Sequence, residues 1–434
     1  MDPFHQPKQA PASYERRRTD CCPRGSLINT MKKQKRKINP YRLALVTAVP
    51  LTVLAVACSF LLSGWKQDQN TQTSKAQIQT EKPASSKSAE NTVKITATGD
   101  ILMEDAILNW FGNGDWKGYM DALVPVFQQD ELTIANQEVP IGGDSLGITG
   151  IDFSFNSPDV TADNVKAQGI DFVTLANNHT VDRGYQGIVN TQANLKRAGV
   201  DFTGAYQSEE EASELKTITV NGIKIGILSW TYGTNQPVEY PWSVNVFTGN
   251  EQELIEQTEK LNEQCDAVIV AMHWGTEFTY DLSDVQKSLS QQLADAGADV
   301  IIGNHPHTIQ PAAWLDGKDG KVLCFYSLGN LVSSAYTVSR ASEQFQNMYE
   351  VGALGQFTFK KEGDKTTVEG ASIIPFVNHF SDEYQNFRLI RLSDYTEELA
   401  SQHDQRRFSD QFTVEWLKDQ VRQVFADSGI PVQM

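Results

Sequence analysis

Residues 296–307, Ala296-Gly297-Ala298-Asp299-Val300-Ile301-Ile302-Gly303-Asn304-His305-Pro306-His307, decide how this chain folds. The amphipathic pattern Ser283–Ala296 leads into them and predicts a helix, and Gly297 follows as a closing glycine should. Val300–Ile302 is a continuous apolar run, the pattern of a strand covered on both faces. Two imidazoles, His305 and His307, come next, and on an extended segment side chains two apart point the same way. Helix, glycine, buried strand and polar residues at the strand's carboxyl end predict an α/β fold with a ligand site at that end.

The same grammar recurs on either side. Strand-like runs are predicted at Val93–Thr98, Leu132–Asn136, Phe172–Ala176, Lys224–Ser229, Ala267–Met272 and Val322–Ser327. Helical patterns lie between them at Lys117–Gln128, Pro158–Gln168, Gly184–Ala198 and Glu251–Glu263, with a last one around Val414–Phe425. Asn221-Gly222 and Gly363-Asp364 are hairpin turns between apolar runs, so the sheets are expected to be mixed, with some antiparallel pairs.

The chain has 434 residues and a net charge of −17, unevenly spread. Residues 1–66 hold 12 Lys and Arg against 3 Asp and Glu, and the rest holds 25 against 51. An acidic body argues against nucleic acid as a partner. Between head and body lies Leu43–Leu62, 20 residues without a charge, long enough to cross a bilayer as a helix. The basic run Lys32–Lys37 and Arg42 precede it, which predicts a cytoplasmic N-terminus and an extracellular body at the cell membrane, in a single pass. Residues 1–42 are then a basic cytoplasmic tail and 43–62 a transmembrane anchor. Met31 begins a stretch that reads as a start, which would make 1–30 an upstream extension. A cleaved or lipidated alternative at Cys58 fits less well, because the apolar run continues through Leu62. Residues 63–92, rich in Gln, Ser, Thr, Lys and Ala, are expected to be a disordered stalk. The main domain is expected over 93–380, with a C-terminal extension over 381–434 ending in a helix. Cys265 and Cys324, the cysteines of the body, are read as small hydrophobes or a single bridge, not a disulfide framework.

Residues able to bind metal collect at strand ends. Gly99-Asp100 closes the first run, Asn136-Gln137-Glu138 the second and Asn177-Asn178-His179 the third, with Asp182 close behind. His273-Trp274-Gly275-Thr276-Glu277 follows Ala267–Met272, and Ser327-Leu328-Gly329-Asn330 closes the run from Val322. Each motif alone is weak: Gly-Asp is most often a turn, and a lone His at a strand end is usually a satisfied polar residue. The set carries the argument, since four of the chain's seven histidines join Asp100, Glu138 and Asn178 at successive strand ends. Carboxylate, imidazole and amide oxygen without thiolate suit Mn, Fe, Zn or Mg. Two such ions bridged by a carboxylate would activate water and hold a phosphoryl oxygen. Trp230, Tyr232 and Trp274 lie near these motifs; packing under loops is favoured for them over lining a substrate groove.

The series Gly-Asp, Asn-x-Glu, Asn-Asn-His, His-Trp-Gly and His-Pro-His, over roughly Lys94–Ser334, resembles the CapA family of poly-γ-glutamate capsule biosynthesis proteins, which look like relatives of calcineurin-like metallophosphoesterases. The stretches Leu175–His179, Ala296–Gly303 and Phe325–Asn330 share the likeness, as does an N-terminal anchor. The resemblance implies a four-layer αββα sandwich with mixed sheets and a role in making, exporting or attaching an anionic γ-glutamyl polymer, beside membrane-bound capsule synthesis proteins. It implies a divalent metal held by Asp100, Glu138, Asn178, His273 and His305. His179 and His307 are then expected as acid or phosphate-orienting groups, and Asn177 and Asn330 as substrate-binding residues. Departures are visible. Asp100-Ile101-Leu102 stands where phosphoesterases carry Asp-x-His, Glu138 stands for a bridging Asp, and Asn304 occupies a position where relatives carry His. Two readings therefore stay open: a metal-dependent hydrolase or transferase, and a non-catalytic polymer-handling subunit with a degenerate metal site.

Overall fold

The structure, a computed structural model, describes residues 91–112, 114–151, 154–334 and 341–434. The expected tail, the anchor Leu43–Leu62 and the stalk up to residue 90 lie outside the described residues. Among the described residues no helix is long and apolar enough to cross a membrane.

The described chain is a mixed α/β fold with two mixed sheets. Its strands in chain order are β1 (Thr92–Ile101), β2 (Leu132–Gln137), β3 (Phe172–Thr174), β4 (Asp201–Thr203), β5 (Thr217–Val220), β6 (Ile223–Thr231) and β7 (Ala267–His273). They continue with β8 (Val300–Asn304), β9 (Ala312–Asp316), β10 (Lys321–Phe325), β11 (Asn330–Val332), β12 (Val351–Glu362), β13 (Lys365–Ser381) and β14 (Gln385–Arg391). One sheet runs β14-β13-β12-β1-β2-β3-β4, with β11 also paired to β1; the other runs β5-β6-β7-β8-β10-β9. In each, a parallel block (β1 to β4; β6, β7, β8 and β10) is flanked by antiparallel strands.

Alternation along the strands explains the packing. On β7, Ala267 and Ile269 join a core cluster shared with Val93, Ile95 and Ile134 of the other sheet. The intervening Val268 and Val270 join a second cluster with Leu254, Leu261, Leu289 and Leu293 from the helices Glu251–Gln264 and Asp284–Ala296. A third cluster packs Ala135 and Val173 against Ile188 and Leu195 of the helix Gly184–Ala198. Period-2 side chains thus face two different apolar layers, which is why these strands read as continuous hydrophobic runs.

The expected helix Lys117–Gln128 shrinks to Val124–Phe127. Gly118 takes a left-handed φ of 84°, and turns rather than a helix bury Trp116, Tyr119, Met120 and Leu123. The short helix Asp105–Phe111 was not legible from periodicity. Ser283 forms a capping box with Gln286 at the helix that opens the decisive stretch, and Gly297 closes it in the left-handed conformation. The boundary expected after residue 380 falls at the end of β13, which pairs onward with β14. Leu392, Phe412, Leu417 and Val421 share the inter-sheet core with Val93, so the C-terminal residues are built into the same packed body.

Candidate metal centre

The carboxyl ends of β1, β2, β7 and β8 meet, and β11 crosses from the end of β10 to pair with β1. Register places Asp100 opposite both Asn136 and Asn330, and His273 opposite Asn304. Two glycines make the approach feasible. A Cβ on Gly99 would lie 1.9 Å from the Gly329 carbonyl oxygen, and one on Gly303 would lie 2.0 Å from that of Tyr326.

Glu138, His305 and His307 are buried, and each offers a ligand atom within 4.8 Å of the others. His273 Nε2 lies 3.6 Å and His307 Nε2 3.7 Å from Glu138 Oε1. His307 Nδ1 lies 3.6 Å from Asp100 Oδ2, and the rings of His273 and His305 are 4.8 Å apart. Asp100 is held by the Asn136 amide at 2.7 Å and by the His305 backbone N–H at 3.2 Å. The expected extended His-x-His segment is instead a turn beyond β8, with His305 at φ 100° and His307 at φ 52°. Such conformations are costly for non-glycine residues and persist where the surroundings impose them, commonly at functional sites.

The electrostatics are those of a site built around positive charge. Burial, and then Asp100, push the Glu138 carboxyl well above its ordinary range. Burial raises Asp100 too, opposed first by His307 and then by the Asn136 hydrogen bond. Burial, reinforced by neighbouring imidazoles, drives His273 and His305 well below the usual imidazole value. Both Glu138 oxygens and His305 Nδ1 are buried with no hydrogen-bond partner. A buried carboxylate without a donor is expensive, whereas a divalent cation would satisfy it beside neutral imidazoles. On this observation the residues present fit such an ion.

The remaining expected residues divide. Asn178 Oδ1 and His273 Nε2 adjoin the triad but face each other at 2.8 Å. His307, expected beyond the metal, lies among the ligand-type atoms. His179 carries Asp182 on Nδ1 at 2.7 Å, and the Phe155 N–H holds the same carboxylate oxygen at 2.8 Å. Asn177, expected to bind substrate, is engaged within the fold: its amide donates to the Gln137 carbonyl at 2.9 Å, and its oxygen accepts from the His179 N–H at 3.1 Å. Asn330 is likewise engaged inside, with Oδ1 3.0 Å from His307 Nδ1. Trp230 and Trp274 are core residues, as expected. Tyr232 is not: its ring lies 4.7 Å from that of His305, and it lines an open cleft with Glu277 and Phe278.

Sequence reasoning gave no role to Asn136, which bridges Asp100 and the His273 ring, although the period-2 spacing from Glu138 was a signal. Asn235, 3.3 Å from His179 Nε2, sits on a long loop with no local signal.

Fold and site together define an α/β protein of two mixed sheets with a buried carboxylate–imidazole centre at the strand ends. The chain belongs to the bacterial capsule synthesis protein family PGA_cap, whose model matches residues 94–335. It is similar to the capsule biosynthesis protein CapA of Bacillus anthracis, 30% identical over 321 residues that cover 70% of this chain and 71% of that one. It is also similar to the PGA biosynthesis protein CapA of Bacillus subtilis (strain 168), 25% identical over 344 residues that cover 76% and 82%. Among solved structures it is similar to a hypothetical protein from Thermus thermophilus, at TM-score 0.39 and 17% identity over 65% of this chain and 98% of that one. Another is the calcineurin-like phosphoesterase YfkN from Bacillus subtilis, at TM-score 0.35 and 16% identity over 76% of this chain and 100% of that one.

Proposed function

We propose that this chain is a membrane-anchored surface protein of capsule biosynthesis or export, of the poly-γ-glutamate type, that uses a metallophosphatase-like centre on a surface polymer. The observation that carries the reading is Glu138, a fully buried carboxylate with no hydrogen-bond donor, whose ligand atom lies within 4.8 Å of those of His305 and His307. Family membership and the names of the Bacillus relatives supply the polymer. The anchor Leu43–Leu62 and its basic flank support a single-pass location in the cell membrane with the body outside, beside membrane-bound synthesis proteins. Apolar clusters between the sheets and on their outer faces support the finer four-layer αββα reading.

Glu138, His305 and His307 would hold the ion, with Asp100, Asn178 and His273 alongside. A bound divalent ion (Mn, Fe, Zn or Mg) supplies Lewis-acid polarisation of a phosphoryl or acyl oxygen and a more acidic water. The chain's own part is positioning and proton handling. Asp182 fixes the His179 ring through Nδ1, the Asn235 amide lies 3.3 Å from Nε2, and the ring held in this way would exchange a proton with a substrate or leaving group. The β-strand ends hold the ligands rigidly, and Tyr232 and Phe278 flank the cleft by which a chain-like substrate enters.

One observation favours a second reading, a non-catalytic polymer-binding or assembly subunit. Leu102 occupies the position of the phosphoesterase imidazole and is buried, so one ligand position of a two-ion site is absent. The test is to purify the full chain, measure bound metal, and assay a generic phosphodiester and a γ-glutamyl polymer with Mn²⁺ added. Loss of metal and turnover in His305→Ala supports the enzyme. Metal binding with neither substrate turned over supports the assembly subunit, and unchanged metal content in His305→Ala removes the site.

A further inference from the structure

We infer that Asn330 is a positioning residue for this centre: its amide oxygen holds a proton on His307 Nδ1 and thereby presents the Nε2 lone pair to Glu138. The inference rests on the reading of Glu138, His305 and His307 as ligands of a cation.

Asn330 opens β11, the short strand that pairs with β1 directly opposite Asp100. It is fully buried, so its two polar atoms must be satisfied from within the protein. Nδ2 donates to the Tyr349 carbonyl at 3.1 Å. That contact fixes which way the amide points, because a carbonyl oxygen only accepts and cannot face Oδ1 favourably. Oδ1 is left 3.0 Å from His307 Nδ1. An amide oxygen also only accepts, so Nδ1 must be the protonated ring nitrogen. An imidazole that ligates a metal is neutral and carries one proton, so Nε2 is the lone pair it offers, 3.7 Å from Glu138 Oε1. The opposite tautomer would set two lone pairs against each other at Nδ1 and turn a proton toward the ligand side.

The support extends one layer further. Asn378 Nδ2 approaches the Asn330 carbonyl at 3.4 Å, while its Oδ1 accepts from the Tyr119 hydroxyl at 2.7 Å. The Asn378 N–H donates to the Glu350 carbonyl at 2.8 Å. Asn330 therefore has no exposed atom for substrate and one well-aimed acceptor for a ligand ring. Metal-bound histidines typically need such an acceptor on the other nitrogen, and losing it costs about 10–100-fold in metal affinity.

The experiment titrates Mn²⁺ calorimetrically into the full chain and into Asn330→Ala and Asn330→Asp, with folding checked by circular dichroism. Asn330→Ala is expected to weaken binding about 10–100-fold, and Asn330→Asp, which keeps an acceptor oxygen, to bind nearly as the parent does. Equal affinity in parent and Asn330→Ala overturns the inference, as does equal loss in both variants. Selective ¹⁵N-histidine NMR of the parent reads the tautomer without any substitution at Asn330, with the signal assigned by its loss in His307→Gln. An Nδ1-protonated His307 is expected, and an Nε2-protonated ring overturns the assignment even if the variants fail to fold. If the parent binds no Mn²⁺, the metal reading fails, and the tautomer alone decides on Asn330.

Discussion

Two groups of buried histidines can be compared within this molecule. His379, on β13, and His403 form one group, with rings 5.3 Å apart among Phe380, Phe412 and Tyr395. His379 Nδ1 meets the Tyr395 hydroxyl at 2.9 Å. His403 donates to the Asn378 carbonyl at 2.9 Å and accepts from the Gln405 N–H at 3.0 Å. His305 and His307 are equally buried, but they stand beside two carboxylates, and the Glu138 oxygens and His305 Nδ1 have no hydrogen-bond partner. A buried imidazole is therefore not itself a sign of function. The sign is an imidazole whose burial leaves a neighbouring carboxylate unsatisfied.

The largest expected effect separates the two groups by metal. Glu138→Gln removes the charge at the centre and should lower Mn²⁺ affinity by more than about 100-fold, beyond the range typical of an outer partner. The same substitution should raise the melting temperature of the metal-free chain, because the Glu138 carboxyl, pushed well above its ordinary range, must take up a proton or bury a charge on folding, and an amide does neither. Calorimetry and thermal melts of one preparation check both halves. Opposite behaviour is expected of His403→Ala: a loss of about 2–4 kcal/mol in denaturant unfolding, from the cavity and the broken hydrogen bonds, with Mn²⁺ affinity unchanged.

Acid should sharpen the contrast. Burial lowers His379 from 6.5 to about 4 and His403 from 6.5 to about 3. Unfolded imidazoles take up protons near 6.5 while the folded ones do not, so the unfolded state binds more protons between these values. The contribution of this cluster is full above about pH 6.5 and is lost as pH falls through that window. Melting temperature should drop from pH 6.5 to 4, and His379→Gln should drop less; an equal drop in both would contradict the assignment. The smallest effect is expected at the cleft. Tyr232→Ala removes a ring packed on His305 and should weaken Mn²⁺ binding by only about 0.5–1.5 kcal/mol, leaving stability near that of the parent.

How much of this was legible in the sequence depended on how local the cause was. The parallel strands and their polar ends were readable because period-2 burial and the residues that close a strand lie within a few positions of each other. Helix Gly184–Ala198 and the C-terminal helix Val414–Phe425 appear where periodicity places them. The candidate ligands were legible as a set, but their pairing was not. Asn178 and His273, 95 residues apart in the chain, face each other. His307 stands among the ligand-type atoms on a turn beyond β8 that takes positive φ where an extended segment was expected. Asn330 and Asn177 looked like substrate contacts. The contacts that occupy them, from Tyr349 and Gln137, come from chain 19 and 40 residues away. Tyr232 and Trp274 looked alike in sequence, and only the loop path separates the cleft residue from the core residue.

The central claim is that Glu138, His305 and His307 hold a divalent cation. Thermal melting of the full chain with increasing Mn²⁺ tests it most directly, because a ligand that binds only the folded state raises the melting temperature with concentration. The parent and His403→Ala should both show that rise, and Glu138→Gln should show none. A parent insensitive to Mn²⁺, or an equal rise in Glu138→Gln, would contradict the account.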